Sequence, residues 1–249
     1  MSVVTSIVAV CPLRKEPDHR SEMTSQLLLG EFAEIIETHK EFIKVKCLYD
    51  DYEGWCQRVQ LVITDAVKST TKFVAEPIAT IAINNMPCRV SFATPVFDDM
   101  VAYKNFTIDY SNIATLDACQ QIFTPDKITQ ITSVFLNTPY LWGGRTLFGI
   151  DCSGFAQQVY KLFNKKLSRD AHQQAEKGEA LGFLEEAICG DLAFFDNEAG
   201  FITHVGIILS NQQIIHASGR VRIDTIDSAG IISSDTGLRT HRLRVVKRY

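Results

Sequence analysis

Cys152 stands where chemistry is most readily placed in this chain. The segment Asp151-Cys152-Ser153-Gly154-Phe155 reads as the start of a helix, because Phe155, Ala156, Val159, Leu162 and Phe163 then recur at helical spacing. The stretch before it, Tyr140-Leu141-Trp142-Gly143-Gly144-Arg145 to Gly149-Ile150, has no such period and reads as a glycine-rich loop. A thiol in the first helical turn faces unpaired N–H groups and the positive end of the helix dipole, so it is expected to ionise more easily than a free thiol. A thiolate is the attacking species in cysteine catalysis. The glycines ahead of it would let the backbone approach a substrate and leave donors for a developing oxyanion.

Two later histidines could supply the base. His204 lies in Thr203-His204-Val205-Gly206-Ile207 and His216 in Ile214-Ile215-His216-Ala217, both strand-like, twelve residues apart. An even separation puts both on one face of a hairpin only if the loop has an odd number of residues. A three-residue loop at Ser210-Asn211-Gln212 does so and makes the two diagonal neighbours, roughly 7–8 Å apart at Cα. His216 could then bond the far nitrogen of His204 and fix its tautomer. A lone cysteine or a lone strand histidine is usually structural, but a Cys/His pair oriented by a third polar group is an activated-nucleophile design.

The elements that must position these groups fall in the last part of the chain. Thr124-Pro125-Asp126 is a helix start with Thr as N-cap, and Ile128, Ile131, Phe135 and Leu136 form its buried stripe. Asp191 to Phe195 reads as a buried strand. Helices first and antiparallel strands afterwards predict an α+β layer fold over residues 122–249. Ahead of it, residues 1–62 carry short apolar runs (Val3 to Val10, Gln26 to Leu29, Ala33 to Ile36, Phe42 to Cys47, Gly54 to Cys56) that predict a small β-barrel. Residues 63–121 predict a second small β unit, from Ile78 to Ile83, Cys88 to Phe92, Val96-Phe97 and Met100 to Phe106. No Ser/Gly-rich linker separates these parts, so they are expected to pack together.

Composition limits the function classes. The chain has 249 residues, 46% apolar and 22% charged, with 25 basic against 29 acidic side chains and a net charge of −4. No basic run suggests a nucleic-acid or membrane footprint, and neither partner is expected. The seven cysteines are odd in number and form no C-x-x-C pair, which argues against a disulfide framework or a zinc site and suits a reducing compartment. The opening Met1 to Cys11 has no Lys or Arg before its apolar run, as a secretory signal would need, so a cytoplasmic chain is expected.

The motifs carry a resemblance. Tyr-x-Trp-Gly-Gly, Asp-Cys-Ser-Gly-Phe, Gly190-Asp191-Leu192 before Phe194-Phe195, His204-Val205-Gly206-Ile207 and Ile215-His216-Ala217 resemble the motif set of the NlpC family, papain-like cysteine peptidases that cut bacterial cell-wall peptides. The resemblance implies Cys152 as nucleophile, His204 as general base and His216 as orienting residue. It further implies Tyr140 and the Cys152 N–H as oxyanion donors, with Trp142, Asp151 and Ser153 lining the cleft, and neither metal nor organic cofactor. In front, Pro12-Leu13-Arg14, Gln26 to Glu31, Phe42 to Val45 and Tyr52-Glu53-Gly54-Trp55 resemble a bacterial SH3-type domain.

Two small SH3-like β-barrel modules, 1–62 and 63–121, before such a domain are similar to the cytoplasmic members of the family that cut γ-D-Glu from an L-diamino acid in free murein peptides with an N-terminal L-Ala. Those enzymes hold the free α-ammonium with two acids and a tyrosine. Asp170, eighteen residues after Cys152, matches one acid, followed here by Ala171 where a serine is common. Glu22 and Tyr52 match the other acid and the tyrosine, with Tyr49 the alternative to Tyr52. The implied partner is a murein-derived peptide, and a monomer is expected. The alternative is an endopeptidase or amidase of intact wall that uses its β modules as anchors.

Overall fold

The computed structural model describes residues 2–249 and divides into two compact units, residues 2–119 with Trp142–Leu147, and Gln120–Leu141 with Phe148–Tyr249. Met1, where the front module was expected to begin, lies outside the described residues. Among these residues no helix is long and apolar enough to cross a membrane.

The first unit is all β. A seven-stranded antiparallel sheet runs in the order Met23–Leu28, Val10–Arg14, Glu53–Gln57, Phe42–Cys47, Phe32–His39, Val3–Ser6, Leu61–Thr64. Alternation puts Cys11, Leu13, Leu27, Ile43, Val45 and Cys56 into one core. The single expected run Val3 to Val10 is two strands, because the Ser6 hydroxyl donates to the Val8 carbonyl at 3.0 Å and stabilises a bend. The expected run Met100 to Phe106 is likewise a hairpin, Met100–Tyr103 and Phe106–Asp109, turning at Lys104 with φ +50°.

Residues 72–117 form a four-stranded and a three-stranded sheet. Their core is shared with the first sheet: Ile7, Leu29, Phe32 and Val62 pack with Val74, Ile81, Val90, Val101 and Ile108. The packing therefore shows no break at residue 62.

The glycine-rich strap Trp142–Leu147 belongs to this unit. The Arg145 guanidinium is 2% exposed and donates to both carboxylate oxygens of Glu31 at 2.8 and 3.0 Å and to the Gln26 carbonyl at 2.6 Å. Gly143 has φ +76°, and a Cβ there would stand 2.7 Å from the Met23 carbonyl oxygen. That glycine serves a close approach to the Met23 backbone, where the sequence suggested an approach to substrate.

The second unit carries helices α1 (Pro125–Ser133), α2 (Cys152–Lys161) and α3 (Ala171–Ala175). Thr124 caps α1 as predicted, with Ile128, Ile131 and Phe135 buried. Leu136 is 38% exposed, contrary to the predicted stripe, because the chain tightens after Ser133 and the Val134 N–H bonds Ile131 three residues back. Helix α2 is buried on every face, Gln157, Gln158 and Lys161 included, since it packs against α1, α3 and the strands Ile202–Ser210 and Gln213–Ser218.

Those strands belong to a sheet ordered Glu179–Ala180, Arg239–Arg248, Leu192–Asp196, Ile202–Ser210, Gln213–Ser218, Arg220–Asp227, Gly230–Ile232. Gly230–Ile232 also pairs with Arg239–Arg248, closing six strands into a barrel. A Cβ at Gly230 would lie 1.8 Å from the His241 carbonyl oxygen, so glycine is required for closure. In the histidine hairpin Gly206 faces His216, leaving His204 diagonal to it as predicted. The route differs: Ser210 pairs with Gln213, and a bulge between Ile208 and Ser210 supplies the odd residue assigned to a three-residue loop.

Candidate active site

A buried ion pair builds the start of α2. Asp151 is its N-cap, and Oδ1 accepts the Gly154 N–H at 2.6 Å, satisfying a donor the helix leaves open. Arg169, 1% exposed, grips the same carboxylate through both terminal nitrogens at 3.0 and 2.6 Å and donates to Ser153 Oγ at 2.9 Å. Asp151 and Ser153, assigned to the substrate cleft by resemblance, thus lie buried in the scaffold that holds the cysteine.

Cys152 takes the first helical position, as predicted, and its sulfur accepts hydrogen bonds from the Val205 and Ser153 N–H groups. The thiol therefore lies beside the residue that follows His204. Burial pushes it up to about 12, aided by the Asp151 charge, against the opposing pull of the Val205 and Ser153 N–H groups and Arg169. The expected easily ionised thiol is thus corrected to one protonated at rest, because desolvation outweighs the donors of the helix N-terminus. The ultraviolet thiolate absorbance of wild type minus that of Cys152→Ala should accordingly show no titration step below about pH 9. A step at or below neutrality contradicts this.

His204 and His216 meet as predicted, with Nε2 of the first 2.8 Å from Nδ1 of the second. His216 Nε2 continues to Asp224 Oδ2 at 2.9 Å. Burial, with the neighbouring His216, His241 and Arg222, holds His204 well below the usual histidine range; burial also lowers His216, partly offset by Asp224. His204 is further packed against aromatic rings. His241 stacks on it with centroids 4.2 Å apart and planes 26° from parallel, and Phe195 lies at 5.7 Å.

Nitrogens of His204, His216 and His241 lie within 4.8 Å of one another, close enough to raise the question of a metal. The geometry does not suit one. His204 and His216 use their facing nitrogens on each other, His216 uses its second on Asp224, and in-plane lone pairs of two stacked rings do not converge on a common point.

Tyr140 is tied to this group from two sides. Its N–H donates to the Gly219 carbonyl at 2.9 Å, and the Ile150 N–H donates to Pro139 at 3.1 Å. Burial raises its phenol, so it stays protonated, a hydrogen-bond donor. The Cys152 N–H, at the first helical position, has no acceptor within the helix.

Asp170 caps α3 in a capping box with Gln173 and is half-buried. Trp142, Glu22 and Tyr52 belong to the other unit; Trp142 and Glu22 are exposed and Tyr52 is half-buried. Tyr49, the alternative to Tyr52, is half-buried in the same unit. Sequence reasoning passed over Arg169, Asp224 and His241. Of these only Asp224 carries a usable signal, since it keeps the face of His216 across a tight Gly219 turn.

Residues 137–240 match the NlpC/P60 family, and residues 13–61 match the bacterial dipeptidyl-peptidase SH3 domain. The gamma-D-glutamyl-L-lysine dipeptidyl-peptidase of Bacillus subtilis is 29% identical over 178 residues, 67% of this chain; the chain spans 60% of that relative's length. The protein of the same name from Bacillus cereus is 27% identical over 89% of this chain and 76% of its own. A crystal structure of an NlpC/P60 family protein from Bacillus cereus shares the fold, with a TM-score of 0.80 at 21% identity over 100% of this chain and 99% of that one. The second unit thus matches an NlpC/P60 domain of papain-like fold and carries a buried cysteine at a helix start together with a histidine relay, and the first unit contains a match to a bacterial SH3 domain.

Proposed function

We propose that this chain is a cysteine peptidase that hydrolyses the bond between γ-D-Glu and the L-diamino acid of free murein peptides with an N-terminal L-Ala, releasing L-Ala-D-Glu in cytoplasmic recycling of wall fragments. The observation that carries the reading is the joint presence of an NlpC/P60 domain and an SH3 domain of the dipeptidyl-peptidase kind. The names of the two Bacillus relatives support the same bond.

In this mechanism Cys152 Sγ attacks the γ-carbonyl carbon of D-Glu as His204 takes the thiol proton. The Tyr140 hydroxyl and the Cys152 N–H hold the oxyanion, which a protonated phenol and an open helical donor are suited to do. His204 then protonates the leaving amine, the C–N bond breaks, and an acyl-enzyme remains. Water, deprotonated by His204, hydrolyses the thioester and restores the thiol. The resemblance assigns Trp142 to the cleft, and Asp170, Glu22 and Tyr52 to the free α-ammonium.

The test is a pair of substrates: L-Ala-γ-D-Glu-diamino acid peptide and its N-acetylated twin. Cleavage of the first alone is expected, because carboxylates placed for an ammonium are left unpaired by an acetyl group. Asp170→Asn should raise KM for the free peptide about tenfold or more and leave the melting temperature unchanged, since asparagine caps a helix as well as aspartate does. Equal cleavage of both peptides, or release of peptides from insoluble wall, favours the wall-cutting alternative.

A further inference from the structure

Asp224 ends the chain of hydrogen bonds that begins at His204, and its carboxylate is fully enclosed. Oδ2 accepts from His216 Nε2 and from Arg222 Nε, each at 2.9 Å. Oδ1 faces the Ser234 N–H at 2.9 Å and the Ser234 hydroxyl at 2.7 Å. A carboxyl group surrounded by donors on both oxygens is an anion, and an anionic carboxylate has no hydrogen to give. Burial opposes ionisation, but the hydrogen bonds of His216 and Ser234 prevail and hold Asp224 well below the usual carboxylate range.

This one fact propagates through both rings. The hydrogen in the His216–Asp224 bond must sit on His216 Nε2. Neutral imidazole carries a single N–H, so His216 Nδ1 is bare and can only accept. The hydrogen in the 2.8 Å bond between the rings must then sit on His204 Nε2. That leaves Nδ1 as the bare nitrogen of His204. It is the ring nitrogen nearer the main chain, and the thiol lies at the N–H of the next residue, Val205.

We propose that Asp224 is a positioning residue that sets the tautomers of His216 and His204 in series and so makes His204 Nδ1 the base for Cys152. Without it, His216 is free to carry its proton on Nδ1 and donate to His204 Nε2. His204 would then hold its proton on Nδ1, where no lone pair is left for the thiol. The role differs from simple support of the fold because it fixes where protons sit. It rests on the peptidase reading of Cys152 and His204, but not on which peptide is cut.

The test uses the full-length protein labelled with ¹⁵N-histidine. Long-range ¹H–¹⁵N correlation spectra of the free protein read the protonated nitrogen of each ring, and turnover is measured on the free peptide substrate. Wild type should show His204 and His216 both protonated at Nε2. Asp224→Ala should move a large share of His204 to the Nδ1–H form and lower kcat on the order of 10²-fold with KM little changed; the analogous tautomer error in the Ser-His-Asp triad costs about 10⁴.

Wild-type His204 protonated at Nδ1 overturns the proposal, and that measurement needs no variant to fold. Wild-type tautomers and kcat in Asp224→Ala overturn it equally. Should wild type cleave no peptide while showing both rings protonated at Nε2, the tautomer assignment stands and the peptidase reading falls.

Discussion

Cys152→Ala is expected to lower turnover of the free peptide by at least about 10⁴-fold while substrate still binds. The sulfur can both attack a carbonyl and be released, and it sits at the start of α2 with two backbone donors, one of them from Val205, the residue after His204. His204→Ala should cost a similar factor, and the double variant should be no worse than either single one, because residues acting as one unit are strongly non-additive. Folding is not at risk at Cys152: truncating a thiol removes a single heavy atom from a helix held by Asp151 and its partners. Steady-state kinetics on purified proteins, with binding of the uncleaved peptide measured on Cys152→Ala, decides it. Additive losses in the double variant would mean that sulfur and imidazole do not act in one step.

The parts of this site that follow a local period are legible in the sequence. Strand alternation has a period of two, so even spacing put His204 and His216 on one face before any loop geometry was known; a bulge met the parity requirement that a longer loop was expected to meet. The same rule reaches Asp224, eight residues beyond His216, but its Arg222-x-Asp224 alternation looks like an ordinary solvent face until the barrel closes over it. His241 is out of reach of any such rule. It arrives because Gly230–Ile232 and the last strand pair and close the barrel, a contact set by backbone approach at Gly230.

Arg169 and Arg145 fail for a different reason. Charged residues belong on the surface by default, and nothing local marks these two as fully buried; each is inside because a distant carboxylate, Asp151 or Glu31, pairs with it. The direction of the thiol shift was misjudged on similar grounds. A helix N-terminus is visible in sequence, but the burial that outweighs it depends on every element packed around α2. The front unit repeats the pattern: its strands follow from alternation, whereas the core that joins residues 72–117 to the first sheet is formed by long-range packing.

Arg169→Met should be the most destabilising single change at the site, by about 3–5 kcal/mol, the usual result of removing one partner of a buried pair. The guanidinium supplies three donors, two to Asp151 and one to Ser153, and methionine supplies none while filling similar volume. Asp151 must then remain buried without its counter-charge or take up a proton and weaken its hold on the Gly154 N–H. Against a total stability of about 5–15 kcal/mol, such a loss lowers the melting temperature of the peptidase unit by roughly 10 °C. Activity should fall at any temperature as well, because Arg169 is among the groups that pull the thiol down, and its loss leaves the Asp151 charge to push the other way. Arg169→Met combined with Asp151→Asn should recover part of the stability, since asparagine still caps α2 and no buried charge is left alone. A single Arg169→Met variant that melts within 2–3 °C of wild type, a loss of about 1 kcal/mol or less, would show that the start of α2 is held by its packing and not by this ion pair.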